Sequence, residues 1–214
     1  WVNGDTTFLP WDDMPHHYPK DSSKPHRANF NSFDPDKDIN SIDDYLGYTW
    51  NLFHHLDVIP EKDYKGPLQA DKIPDYFFGT FDLVKSKVGQ CHSVHGSVYS
   101  PLTNYFELFG YEEALRGFMI DKGKVHAILE LLTDGVIAWA LALVERGADA
   151  IDLSSAFVAA PFLSRQMYQE FVIPYEKKVN RAIKSAGCIV YTHTCGSIGD
   201  RLDLMIETGT QGID

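Results

Sequence analysis

The stretch Cys188-Ile189-Val190-Tyr191-Thr192-His193-Thr194-Cys195-Gly196-Ser197-Ile198-Gly199 decides how the chain is read. It follows Ser185-Ala186-Gly187, the pattern of a helix ending at a glycine, and Cys188 to Tyr191 is a short β-prone run. His193 and Cys195 fall where that strand should stop. If extension persists through them, residues two apart share one face, so the imidazole and the thiol point into the same space and Thr194 turns away. Gly196 and Gly199 then let the backbone turn into the next helix. Imidazole nitrogen and thiolate sulfur are zinc donors, and a catalytic zinc keeps three protein ligands and one open position. Two such ligands are visible here and a third is not. The bland reading makes His193 a hydrogen-bonded strand-end histidine and Cys195 a small buried residue.

Units of one shape lie on either side. Gly147-Ala148-Asp149-Ala150-Ile151-Asp152-Leu153 opens a strand after a long apolar helix, and Gly209-Thr210-Gln211-Gly212-Ile213-Asp214 repeats the form after the His-x-Cys stretch. Helix, strand, loop, helix, strand is the grammar of a parallel α/β sheet, whose active sites lie at the carboxyl ends of the strands. His193, Cys195 and Asp152 are expected on that rim. Asp152 could be a further zinc ligand, a substrate acceptor or a partner orienting His193.

Several segments together resemble the uroporphyrinogen decarboxylase superfamily, and within it the branch of corrinoid-dependent, zinc-containing methyltransferases. They are Ser100-Pro101 at the start of a helix reaching Leu108-Phe109-Gly110-Tyr111-Glu112, the strand Gly147 to Ile151, Phe171-Val172-Ile173-Pro174-Tyr175, His193-Thr194-Cys195-Gly196, and Glu207-Thr208-Gly209. The resemblance covers the chain from about Gly96 to Asp214. It implies a (β/α)8 TIM barrel in which His193 and Cys195 bind zinc with a further cysteine near the carboxyl end. It also implies a corrinoid carried on a partner protein, with methyl transfer between its cobalt and a thiol or a methylated small molecule. Relatives in this branch place an acidic ligand near the strand end where this chain has Ser154 and Ser155.

The 214 residues, 44% hydrophobic, can bury one core, and the chain reads as a single barrel domain over 1–214 with loop-rich insertions at 1–40 and 60–85. A full eightfold barrel takes roughly 250 residues, so the barrel is expected to be incomplete here, with its last strands and the third zinc ligand beyond Asp214. A net charge of −11 argues against nucleic acid and disfavours polyanionic substrates. Three cysteines at irregular positions suit a reducing cytoplasm rather than a disulfide framework. The apolar run Gly135 to Val144 is too short for a bilayer, and no membrane partner is expected.

In the amino-terminal loop, Trp11 and Asp12 begin an acidic, imidazole-rich and aromatic stretch that reads either as a pocket wall or as a surface loop. Its aromatic content leans toward an aryl methyl ether as methyl donor, and so toward O-demethylation. Ser41 is a candidate N-cap for a helix reaching His54 or His55, histidines on different helix faces that could not share a metal. Val88 to Val98 alternates weakly, placing Cys91, Ser93 and His95 on one face. His95 and Tyr99, near a strand end, are candidate substrate contacts or ordinary polar groups. Helices are expected over Tyr111 to Gly117, Asp121 to Arg146 and Arg165 to Tyr175, the last bent or restarted at Pro174. After Gly199 a helix should turn Leu202, Met205 and Ile206 inward.

Two other activities fit the same scaffold. A tetrapyrrole decarboxylase of the uroporphyrinogen type needs no metal but does need basic residues for substrate carboxylates, and near the amino end only Lys20, Lys24 and Arg27 offer themselves. A non-catalytic binding protein is the other.

Overall fold

A computed structural model describes residues 29–36, 73 and 75–214. A 3-10 turn at Asp75–Phe78 leads into α1 (Gly79–Val88), followed by β1 (His95–Tyr99), α2 (Pro101–Phe109), α3 (Tyr111–Ile120), α4 (Lys122–Glu145), β2 (Ala150–Ser154), α5 (Arg165–Phe171), α6 (Ile173–Ser185), β3 (Ile189–His193) and α7 (Leu202–Glu207). The three strands form one parallel sheet in the order β1-β2-β3. Ile213 extends it by a parallel bridge to Thr192. This α/β alternation, with helical crossovers between adjacent parallel strands, is that of part of a TIM barrel.

Local chemistry fixes the helix starts. The Ser100 hydroxyl accepts from the Thr103 amide at 3.1 Å ahead of Pro101, Asp121 accepts from the Lys124 amide at 2.9 Å, and Ser164 accepts from the Met167 amide at 3.2 Å. The helix expected to bend or restart at Pro174 breaks at Val172, and Pro174 sits in the first turn of α6, where its missing N–H costs nothing.

The sheet has two unlike faces. Gly96, Val98, Ile151, Leu153, Val190 and Thr192 are buried on the helix side. Gly96 permits the approach of α4, since a Cβ there would lie 2.8 Å from Leu143 Cδ1. α4 carries Val125, Ile128, Leu129, Leu132, Val136 and Trp139 into the core against α2, α6, β1 and β2. Among the described residues α4 alone is long and apolar enough to cross a membrane, but 61% of its most apolar window is buried inside the fold. The opposite sheet face carries His95, Ser97, Tyr99, Asp152, Ser154, Tyr191 and His193. That face is the interior side of a barrel wall.

Three expectations need correction. The stretch read as loop-rich to residue 85 is helical from Gly79, because the polar residues of α1 form a solvated helix with no fully buried side chain. Val88 to Ser93 is not strand: Val88 ends α1, and its carbonyl accepts from the Cys91 and His92 amides, both at 2.9 Å, so the alternating face begins only at His95. In α7 the buried residues are Leu204 and Met205, flanked by Arg201 and Thr208, while Leu202 and Ile206 are exposed. The inward stripe is therefore 201, 204, 205 and 208, one position away from the apolar guess, because a buried arginine occupies its first place. The amino-terminal loop, including Trp11 and Asp12, and the helix expected from Ser41 to His55 lie outside the described residues.

Candidate active site

At the carboxyl ends of the strands, hydrogen bonds continue past the regular ladder. The Ser100 amide donates to the Ser154 carbonyl at 2.9 Å, the Ser155 amide to the His193 carbonyl at 2.8 Å, and the Thr194 amide to the Asp214 carbonyl at 3.3 Å. His193 is thus held as the last residue of β3 with its backbone paired on both sides. Cys195 follows two residues on, exposed, and its Sγ lies 3.5 Å from His193 Nε2. Zinc bonds of about 2.3 Å to sulfur and 2.0–2.1 Å to nitrogen at a tetrahedral angle put those two atoms about 3.6 Å apart, so donor types and spacing both fit one metal. The other ring nitrogen, Nδ1, has the Asp214 carboxylate at 4.0 Å, on the side from which a carboxylate can fix the tautomer. Among the described residues no group of three or more His, Cys, Asp or Glu side chains converges, so the pair alone is not a complete metal site. Cys188 does not complete it. It is buried at the other end of β3, 3.4 Å from the Ala148 carbonyl, and burial pushes its thiol pKa up.

Below this pair the polar face is organised in rows by the register. His193 pairs with Ser154, and Ser154 with Tyr99; Tyr191 pairs with Asp152, and Asp152 with Ser97. Ser97 Oγ donates to Asp152 Oδ2 at 2.8 Å, while Asp152 Oδ1 is buried with no hydrogen-bond partner among the described residues. His95 Nδ1 lies 3.1 Å from the Tyr191 hydroxyl. Desolvation raises the Tyr191 hydroxyl pKa, with Asp152 and Asp214 adding to it, and that of Tyr99, with Glu107 adding to it. Asp152 therefore sits one row beneath His193, and the carboxylate at the imidazole is that of Asp214. His95 is two rows from His193, tied to Tyr191.

Two loops form the rim. The loop after β2 donates from the Ala160 amide to the Ser197 carbonyl at 2.9 Å. Gly196, at φ +98°, has the Ala159 methyl 3.0 Å from where its own Cβ would stand, so both its backbone angle and the close approach call for glycine next to Cys195. Arg201, 1% exposed, donates to the Val158 carbonyl at 2.7 Å, pairs with both oxygens of Asp200 at 2.9 and 3.0 Å, and lies over the Tyr168 ring. Beneath Ser155, the buried Glu176 carboxylate accepts from the Ser155 hydroxyl. Burial lifts the Glu176 pKa to about 7, against the opposing pull of that hydrogen bond.

Sequence reasoning missed Ser155, Glu176, Arg201 and Asp214. Ser155 and Glu176 are far apart in the chain and carry no motif. The offset of Arg201 by three, four and seven residues from Leu204, Met205 and Thr208 was the one available signal, and an arginine there reads as exposed.

The chain belongs to the uroporphyrinogen decarboxylase (URO-D) family, whose model matches residues 57–214. It is similar to the methylcobamide:CoM methyltransferase MtbA of two methanogens: 33% identical over 89 residues in Methanosarcina acetivorans (42% of this chain, 26% of that protein), and 27% over 152 residues in Methanosarcina mazei (67% and 44%). It is also similar to the uroporphyrinogen decarboxylase of Pelodictyon phaeoclathratiforme, 29% identical over 107 residues (48% of this chain, 29% of that protein). Among solved structures, a methyltransferase from Methanosarcina mazei superposes with a TM-score of 0.58 at 18% identity, over 70% of this chain and 48% of that one, which establishes the shared fold. The matched stretch is less than half the length of each of these relatives.

Proposed function

We propose that this protein is a zinc-dependent methyltransferase that moves a methyl group between the cobalt of a corrinoid, carried by a partner protein, and a small thiol or methylated substrate. One observation carries the reading: a histidine nitrogen and a cysteine sulfur 3.5 Å apart at the end of a barrel strand, open to solvent on the side where such barrels work. The match to the methylcobamide:CoM methyltransferase of Methanosarcina mazei, over 152 residues against 107 for the decarboxylase, supports the same class. An aryl methyl ether is the methyl donor we favour, and the three free-standing cysteines suit a reducing cytoplasm.

Zinc held by His193 and Cys195 would supply Lewis acidity, lowering the pKa of a thiol substrate or making an ether oxygen a better leaving group. The chain's own residues do the rest. Cys195 offers its sulfur as thiolate and His193 its Nε2 lone pair, while the Asp214 carboxylate lies on the Nδ1 side. The Tyr99 hydroxyl in the row of His193, and the Asp152 and Ser97 pair and the Tyr191 hydroxyl one row below, line the wall, where they orient the polar part of a substrate. The third ligand is expected from outside the described residues.

A tetrapyrrole decarboxylase is the weaker reading for a physical reason: β1, β2 and β3 contain no lysine or arginine, so the described wall has no cation for a substrate with several carboxylates. The test is to mix the full-length protein with methylcobalamin and a small thiol and follow loss of the methyl-cobalt absorbance. Thiol-dependent loss in wild type and none in Cys195→Ala is expected. No loss in wild type with any thiol acceptor and no methylation of cob(I)alamin by any aryl methyl ether, together with turnover of uroporphyrinogen, would replace this reading with the decarboxylase.

A further inference from the structure

Ser155 stands where four elements meet. It is fully buried, directly follows β2, and its amide holds the carbonyl of His193 at the end of β3. Its hydroxyl is bonded to Glu176 Oε1 in the first turn of α6, and lies 3.0 Å from the hydroxyl of Ser100, the N-cap of α2. One consistent set of donors runs through this cluster: Thr103 Oγ1 to the Ser154 carbonyl, Ser100 to Ser155, and Ser155 to Glu176. Glu176 is 1% exposed and its second oxygen has no hydrogen-bond partner among the described residues. A helix N-terminus tolerates a carboxylate, but burying one with a single neutral partner is costly, and an apolar side chain of the same size would pack there without that cost. A directional acceptor does what an apolar group cannot: it fixes the rotamer of Ser155.

The peptide plane that Ser155 reaches is the one between His193 and Thr194. Its carbonyl accepts from Ser155 at 2.8 Å and its N–H donates to Asp214 at 3.3 Å, so it is clamped from both neighbours. That plane is one of the two peptide units between His193 and Cys195, so its tilt bears directly on the distance between Nε2 and Sγ.

We propose that Ser155 and Glu176 are positioning residues for the metal pair: Glu176 locks Ser155, and Ser155 locks the peptide that aims His193 and Cys195 at a common point. This rests on the reading of that pair as a zinc site.

The test uses the full-length protein and measures zinc affinity by competition with a chromophoric chelator, the visible spectrum of the cobalt(II)-substituted protein, and the melting temperature of each metal-free variant. Ser155→Ala and Glu176→Leu should bind zinc about 10–100-fold more weakly, the range found when partners behind metal ligands are removed, and should shift the cobalt(II) bands. Glu176→Gln keeps an acceptor oxygen for Ser155 and should retain wild-type affinity and spectrum. Ser155→Ala loses a single oxygen and carries the test if Glu176→Leu does not fold. Wild-type affinity and an unchanged spectrum in Ser155→Ala, whatever its melting temperature, would overturn the proposal. So would equal weakening in Glu176→Gln and Glu176→Leu, because the acceptor would then be immaterial. His193→Ala separates the two levels: if it binds zinc as wild type does, the zinc reading falls and the positioning role falls with it.

Discussion

At Glu176 the fold raises a carboxyl from its ordinary 4.5 to about 7, because the group is wholly buried and one serine hydroxyl does not replace its water. Between those two values the folded protein holds a proton that the unfolded chain has released, so the Glu176 contribution to stability falls as pH rises from about 4.5 to about 7 and stays low above it. The full effect is on the order of 3 kcal/mol, the free-energy equivalent of that shift. Glu176→Gln cannot ionise and should escape it, with a melting temperature above wild type at pH 8 and a smaller difference at pH 5. Parallel melting curves for the two proteins across that range would show that Glu176 is not buried as described. None of this was legible in the sequence, where Glu176 stands among polar neighbours of an ordinary helix. That the His193 and Cys195 side chains come together was legible, because a two-residue spacing at a strand end constrains direction whatever the rest of the fold does. Asp214 could not be placed, since its approach to His193 depends on a strand pairing that local pattern does not contain.

Among the elements, the helix start sites and the break before Pro174 were readable from caps and proline, which act within a turn of themselves. The inward face of α7 was not, because its first buried position is an arginine whose carbonyl partner, Val158, comes from another loop. Arg201 ties the loop after β2 to the loop after β3 through the Val158 carbonyl, while Ala159 and Ala160 of the same loop rest on Gly196 and Ser197. Arg201→Ala leaves a buried carbonyl without its donor and should cost about 1–3 kcal/mol of stability. It should also speed hydrogen exchange at the Ala160 amide well beyond the global change. Exchange at Ala160 that follows only global stability would mean that the two loops do not depend on Arg201. α1 was missed for the opposite reason: it buries no side chain fully, so it offers no apolar period to read.

For the whole molecule, the alternation of strand and helix was the most legible feature, since a Gly-x-x-x-Ile-Asp opening marks both β2 and the segment ending at Asp214, with the His-x-Cys strand between them. The polarity of the exposed sheet face makes sense as a barrel interior and would be costly as a surface for helix packing. The chain places a histidine nitrogen and a cysteine sulfur 3.5 Å apart at the end of that wall, and the account stands or falls on whether they hold a metal. The direct measurement is the zinc content of the full-length protein, purified at neutral pH without added metal, beside that of His193→Ala and Cys195→Ala. Equimolar zinc in wild type and loss of zinc in both folded variants is the predicted result. Wild-type zinc content in either variant, or a wild-type protein that binds no zinc when metal is supplied, would contradict it.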